Sequence, residues 1–124
     1  MALSSSLAWA GSNDVIVFQN AIKSGDLFSL ESLIKYGNFP INVNGSYFED
    51  DRTPLMESAN LGHEKLVRYF LDMGADPGIK DLYGKSALDY AEENHFMQIA
   101  ALLRSAQDKW NSSHKQDSVK PDTK

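Results

Sequence analysis

Three observations predict an all-α solenoid of about three helix-turn-helix units joined by hairpin loops. Thr53-Pro54-Leu55 recurs as Ser86-Ala87-Leu88, 33 residues on, with Leu66 answered by Ile99 and Phe70 by Leu103. An earlier unit aligns at an offset of 37: Gly25 with Gly62, Leu30 with Val67, Leu33 with Phe70, Ile34 with Leu71 and Gly37 with Gly74. Within the units, apolar residues recur at three- and four-residue spacing, which lines one face of a helix, and the segments between are polar and rich in turn residues. A period of this size marks a stack of like units, none of which buries its apolar face alone.

Each element has a local reason. Asp14 predicts the cap of a helix from Val15 to about Lys23, with Phe18, Ala21 and Ile22 inward. Asp26 caps the next, where Leu27, Leu30, Leu33 and Ile34 fall at helical spacing. Gly37 and Gly74 end the second helices of two units, since glycine suits a left-handed C-cap. Thr53 before Pro54 is a strong start signal: the hydroxyl accepts an orphan amide, and proline at the first helical position has no amide to leave unpaired. Leu66, Val67, Phe70 and Leu71 then form an apolar stripe. Gly84 and Ser86 open the last unit, whose second helix buries Ile99, Leu102 and Leu103. Asn44-Gly45 predicts a two-residue hairpin turn. Gly37 lies 16 residues before Thr53, against 12 from Gly74 to Ser86, so the first connection is four residues longer.

The expected organisation is a flexible segment over residues 1–13, the repeat array over 14–105 and a disordered polar tail over 106–124. The tail is Ser, Lys, Asp and Gln with little apolar besides Trp110 and Val119, too little to offset its ordering entropy. Trp9 and Trp110 flank the array, and Trp9 is the better candidate to cover an end of the stack. Twelve Lys and Arg face 17 Asp and Glu, a net charge of −5, and residues 1–105 carry −6. Nucleic acid, whose binding needs clustered cations, is not the expected partner. Cysteine is absent, which excludes disulfide and thiolate chemistry and fits a reducing compartment. No apolar run approaches the roughly 20 residues a membrane helix needs, and Met1–Gly11 lacks the basic start of a signal peptide. The expected location is cytoplasmic or nuclear.

The run from Thr53 to His63, TPLMESANLGH, resembles the ankyrin-repeat signature T-P-L-H-x-A-A-x-x-G-H, and Leu66 to Asp76 completes one repeat. The resemblance covers residues 14 to 105 and implies a protein-binding array with its hairpin tips and first helices on a concave face. Met56 and Asp89 stand where the family carries a His that links neighbouring repeats, so that link does not carry over. Glu92, Arg104 and Ala100 replace Ala59, Leu71 and Val67 in the last unit, which predicts that no further unit stacks there; a solenoid end needs a polar outer face.

Catalytic signals are missing: no phosphate loop, nucleophile elbow or His-pair metal spacing. No cofactor or metal is expected, and His63 reads as a helix-start residue of the Gly-His corner. The expected function is an adaptor, scaffold or inhibitor binding another protein, with a dedicated inhibitor or immunity protein of one enzyme as the narrower reading. The expected binding residues are Tyr47, Phe48, Glu49, Asp50 and Arg52 from the long connection, Glu57, Asn60 and Leu61 from the middle unit, and Leu82, Tyr83, Lys85, Tyr90 and Glu93 from the last. Tyr47, Phe48 and Tyr83 would be the anchors. Glu49, Asp50 and Glu57 would steer a partner with a basic surface. Glu49-Asp50-Asp51 reads otherwise as a solvated hairpin tip, and Tyr47 or Phe48 reads otherwise as a cover folded over the first helix pair. The remote alternatives are an enzyme site across repeats, for instance at Asp89, Glu93 and His95, and a self-associating subunit; the expected state is a monomer.

Overall fold

The computed structural model describes residues 13–37 and 41–114. The chain runs α1 (Asn13–Ser24), α2 (Leu27–Tyr36), a 3-10 turn (Glu49–Asp51), α3 (Pro54–Leu61), α4 (Glu64–Asp72), α5 (Ala87–Glu93) and α6 (Met97–His114). No strand occurs among the described residues. Residues 1–12, with Trp9, and 115–124 lie outside them, as do the expectations placed on them.

The helices start where local chemistry satisfies their first amides. Asp26 accepts from the Ser29 N–H at 3.1 Å, and the Thr53 hydroxyl accepts from the Met56 N–H at 3.3 Å ahead of Pro54. Ser86 and Asp89 form a reciprocal capping box, so the acid that replaces the family's His closes a helix end. Asp14 is not the cap expected of it; α1 already includes Asn13, and Asp14 lies in the first turn, where its charge suits the helix dipole.

Helices α1–α2, α3–α4 and α5–α6 form three antiparallel pairs, with α3 packed between α1 and α5, and α4 against α6. Phe18, Ile22, Leu30, Leu55, Met56, Leu66, Val67, Phe70 and Leu103 are fully buried between the layers. Phe18 is their hinge point, edge-on to Phe70 at 6.5 Å and to Tyr47 at 4.9 Å.

Neighbouring units also meet through a ring seated on a glycine. A Cβ on Gly25 (φ +75°) would lie 2.8 Å from the His63 ring, and one on Gly62 (φ +81°) would lie 2.8 Å from the Phe96 ring. Both glycines thus answer a close approach and a left-handed backbone together. His63 starts α4 without capping it; its Nε2–H instead donates to the Lys23 carbonyl at 3.0 Å, tying the second unit to the first. At the third position of this series stands His95, left-handed at φ 62°. On that outer side Glu92 pairs with Arg104.

Three expectations need correction. Gly37 ends α2 in an extended conformation (φ −84°, ψ 167°), because the chain leaves straight into the long connection; Gly74 (φ +93°) is left-handed as expected. Asn44-Gly45 is not the centre of a hairpin turn. Gly45 N–H bonds to the Asn42 carbonyl, which puts Val43-Asn44 at the centre and glycine last. The disordered tail does not begin at 106: α6 continues to His114. Ala106, Gln107 and Lys109 are good helix formers with no glycine or proline among them. The half-buried Trp110 also lines a groove of about 430 Å³ with Leu71, Ala75, Pro77 and Leu102.

Phe70→Ala is expected to cost about 3–5 kcal/mol by urea denaturation, as a large-to-small change at a fully buried ring. A loss below about 1 kcal/mol would contradict the assigned core. Truncation after Ala106, which sequence composition alone expects to be silent, should lower Tm by more than about 4 °C, since it removes Trp110 and the last turns of α6.

Candidate protein-binding edge

The last hairpin tip is built around one buried carboxylate. Asp81 is 7% exposed. Its Oδ1 accepts from the backbone N–H of Tyr83 at 2.9 Å and of Lys85 at 3.0 Å, and its own N–H donates to the Lys85 carbonyl. Its Oδ2 accepts from the Tyr90 hydroxyl on α5. An Asp two residues ahead of the tip makes this turn locally, as Asx turns do. Leu82 and Tyr83 are thereby held outward on a fixed backbone, 69% and 67% exposed.

The long connection joins this tip from the side. Leu82 N–H donates to the Asp50 carbonyl at 3.0 Å. Asp50 and Asp51 are both left-handed, at φ 62° and 63°, a conformation Asp tolerates better than most residues. Glu49 and Asp51 are exposed and Asp50 is half-buried. At its other end the connection is stapled to the second unit by Asn44, whose Oδ1 accepts from the Asp76 N–H at 2.7 Å.

Of the expected binding residues, the structure brings Glu49, Asp50, Leu82 and Tyr83 together at the tips. Asn60 and Leu61 (38% exposed) lie on α3, where Asn60 accepts from Asn94 Nδ2 at 2.9 Å. Lys85 and Glu93 form an ion pair at 2.9 Å.

Tyr47, Glu57 and Tyr90 are not the exposed contacts expected of them. Tyr47 is 8% exposed, edge-on to Phe18, and its hydroxyl accepts from the Asn42 N–H at 2.9 Å. It is the cover over the first helix pair rather than an anchor, because Phe18 offers an apolar edge that a loop aromatic can bury. Phe48 is half-buried against the same core. Glu57, 5% exposed, lies with its Oε1 3.0 Å from Arg52 Nε. Tyr90 is 7% exposed and serves the tip through Asp81.

Asp81, which holds the tip in place, is the residue that the sequence reading missed. The signal was present: an Asp followed at three residues by glycine, between two units.

The enzyme alternative gains nothing from the geometry. Asp89 is engaged in the α5 cap, Glu93 pairs with Lys85, and His95 is exposed. Among the described residues, no group of three or more His, Asp or Glu could hold a metal ion, and no helix is long and apolar enough to cross a membrane.

Paired short helices, stacked in register with a TPL-type start on the second and third pairs and a glycine before the second helix of the first two, define a helical-repeat solenoid. The sequence model of ankyrin repeats (three copies) matches residues 18–113, and the chain belongs to the ankyrin-repeat family, whose members are typically protein-interaction modules without catalysis. It is 34% identical over 91 residues to the ankyrin repeat protein YahD of Escherichia coli, covering 69% of this chain and 44% of that one. It is 35% identical over 95 residues to the NAD-dependent deacetylase sir2B of Dictyostelium discoideum, covering 74% of this chain and 12% of that protein. The chain spans less than half the length of these curated relatives. Among solved structures, it resembles a chain in the complex of a predatory endopeptidase from Bdellovibrio bacteriovorus with an immunity protein. The TM-score there is 0.64 at 28% identity, covering 73% of this chain and 45% of that one.

The Asp81–Tyr90 contact makes the tip sensitive to alkali. Burial, then the Asp81 hydrogen bond and charge, push the Tyr90 hydroxyl from 10.0 up to about 12. Burial alone would raise Asp81, but the hydrogen bonds from Tyr90, Lys85 and Tyr83 outweigh it and hold the carboxyl below its ordinary value. A tyrosine raised on folding gives stability that is full below about pH 10 and is lost as pH climbs through about 12. Tyr90→Phe should therefore flatten the fall in urea midpoint between about pH 9 and 12, leaving the parts due to Tyr69, which burial and the Glu31 charge raise, and to Lys85, which the Glu93 hydrogen bond raises. An unchanged fall would exclude Tyr90 as its source.

Proposed function

We propose that the array binds one partner protein, as a monomer in the cytoplasm or nucleus, through the Leu82–Tyr83 tip, the acidic turn beside it and the exposed residues of α3 and α5. The observation that carries this reading is the pair of large apolar side chains held in solvent on a turn pinned by a buried carboxylate. Tyrosine supplies wide contact at small entropy cost, and the rigid backbone adds little ordering cost on binding. Glu49, Asp50 and Asp51 steer a basic surface toward it, which acts on the association rate and its salt dependence.

Within this reading we infer a dedicated inhibitor or immunity protein of one enzyme. The likeness to a chain from an endopeptidase–immunity protein complex supports that narrower role. A partner captured by the immobilised chain and assayed alone should lose its activity when the chain is added at equal molarity. Retained activity would return the protein to the wider class of adaptors and scaffolds.

Once the partner is in hand, Tyr83→Ala should weaken binding by about 2 kcal/mol or more without unfolding the array. Glu31→Lys and Arg68→Glu, on the outer helices, should leave affinity within about twofold. The opposite pattern in a titration would place the interface on the back of the stack.

A further inference from the structure

We propose that the cleft beneath the long connection receives a lysine or arginine side chain of the partner, a proposal that rests on the concave edge being the binding surface. The cleft has a volume of about 500 Å³, and its walls include Gln19, Phe48, Glu49, Arg52 and Glu57. Phe48 and Glu49 of the first connection line it together with Gln19 and Lys23 of α1.

The cleft contains a buried charge pair that is incompletely satisfied. Glu57 Oε1 and Arg52 Nε lie 3.0 Å apart, yet neither atom completes an aligned hydrogen bond. Buried polar atoms left in that state carry a desolvation cost that an added donor relieves. Arg52 is already committed to Glu57 and lies beside Tyr90, whose ionisation its charge influences. Beyond that pair, two acceptors line the cleft. Glu49 is exposed, and among the described residues its carboxylate has no hydrogen bond or ion pair. Gln19 gives its amide N–H to the Tyr47 carbonyl at 2.6 Å, which leaves its own carbonyl oxygen turned to acceptor work. Phe48 supplies a half-buried ring against which an aliphatic stem or a guanidinium can lie.

Charge decides between a cationic and an anionic occupant. Among the described residues that line the cleft, the cations are Arg52, held by Glu57, and the exposed Lys23. Asp50 and Asp51 follow Glu49 directly in the chain and add negative charge beside the cleft, so an entering cation, which meets the carboxylates of Glu49 and Glu57, is favoured over an entering carboxylate.

The test uses the full chain, labelled with nitrogen-15, titrated with Nα-acetyl-arginine amide and separately with Nα-acetyl-aspartate amide. The arginine compound should shift the backbone amides of Gln19, Phe48 and Glu57 in a saturable way. Glu49→Gln, a change at an exposed side chain, should weaken that response by about two- to fivefold, the range of an exposed ion pair. Three outcomes would overturn the assignment: no response at these amides, a response that Glu49→Gln leaves unchanged, or a tighter response to the aspartate compound. None of them bears on the loss of partner binding in Tyr83→Ala, so the cleft and the edge fail separately.

Discussion

The proposed binding edge hangs from the carboxylate of Asp81. A loop of five residues has no apolar face to bury, and its backbone groups would otherwise exchange between water and each other. Asp81 gathers two of its N–H groups and a tyrosine hydroxyl from the helix behind, so the turn takes its position from α5 rather than from solvent. The same turn then donates the Leu82 N–H to the Asp50 carbonyl, which fixes the neighbouring connection as well. Two loops from different units become one ledge through this chain of contacts, and the exposed Leu82 and Tyr83 inherit its rigidity.

Stacking supplies the frame in which that ledge can exist. Each helix pair is too short to be stable alone, and the core is shared between pairs: Phe18 from the first touches Phe70 from the second. The loop aromatic Tyr47 extends this core across the top of α1. Burying it removed an anchor from the surface, but it also secured the root of the long connection, on which Phe48 and Glu49 depend for their place.

Much of this was legible in the sequence because it is written in local or periodic signals. Thr53-Pro54, Asp26 and Ser86 announce helix starts by chemistry that acts within three residues, and Leu66, Val67 and Phe70 announce a buried face by spacing. The misread residues obey long-range rules. Tyr47 and Phe48 sit in a loop without period, and only the neighbouring edge of Phe18 decides that Tyr47 goes in. Glu57 and Tyr90 lie on first helices, whose register turns them toward the concave face, yet Arg52 and Asp81 draw them under cover. The reach of α6 past Leu103 was hidden for a different reason: a polar run reads as disorder until one residue, here Trp110, finds a seat on another helix.

The left-handed His95 gives the stack a direction. Gly25 and Gly62 each leave a vacancy of one side chain, and the ring that follows in the next unit fills it like a peg in a socket. At the third socket the peg-hole is already plugged, by a residue that accepts an awkward backbone in order to stand there. A further unit in the same register would meet a histidine where the inner junctions offer a glycine, with the Glu92–Arg104 ion pair on the same unit. That end of the stack thus differs from its inner junctions, and the proposed encounters fall to the ledge where Leu82 and Tyr83 face the solvent.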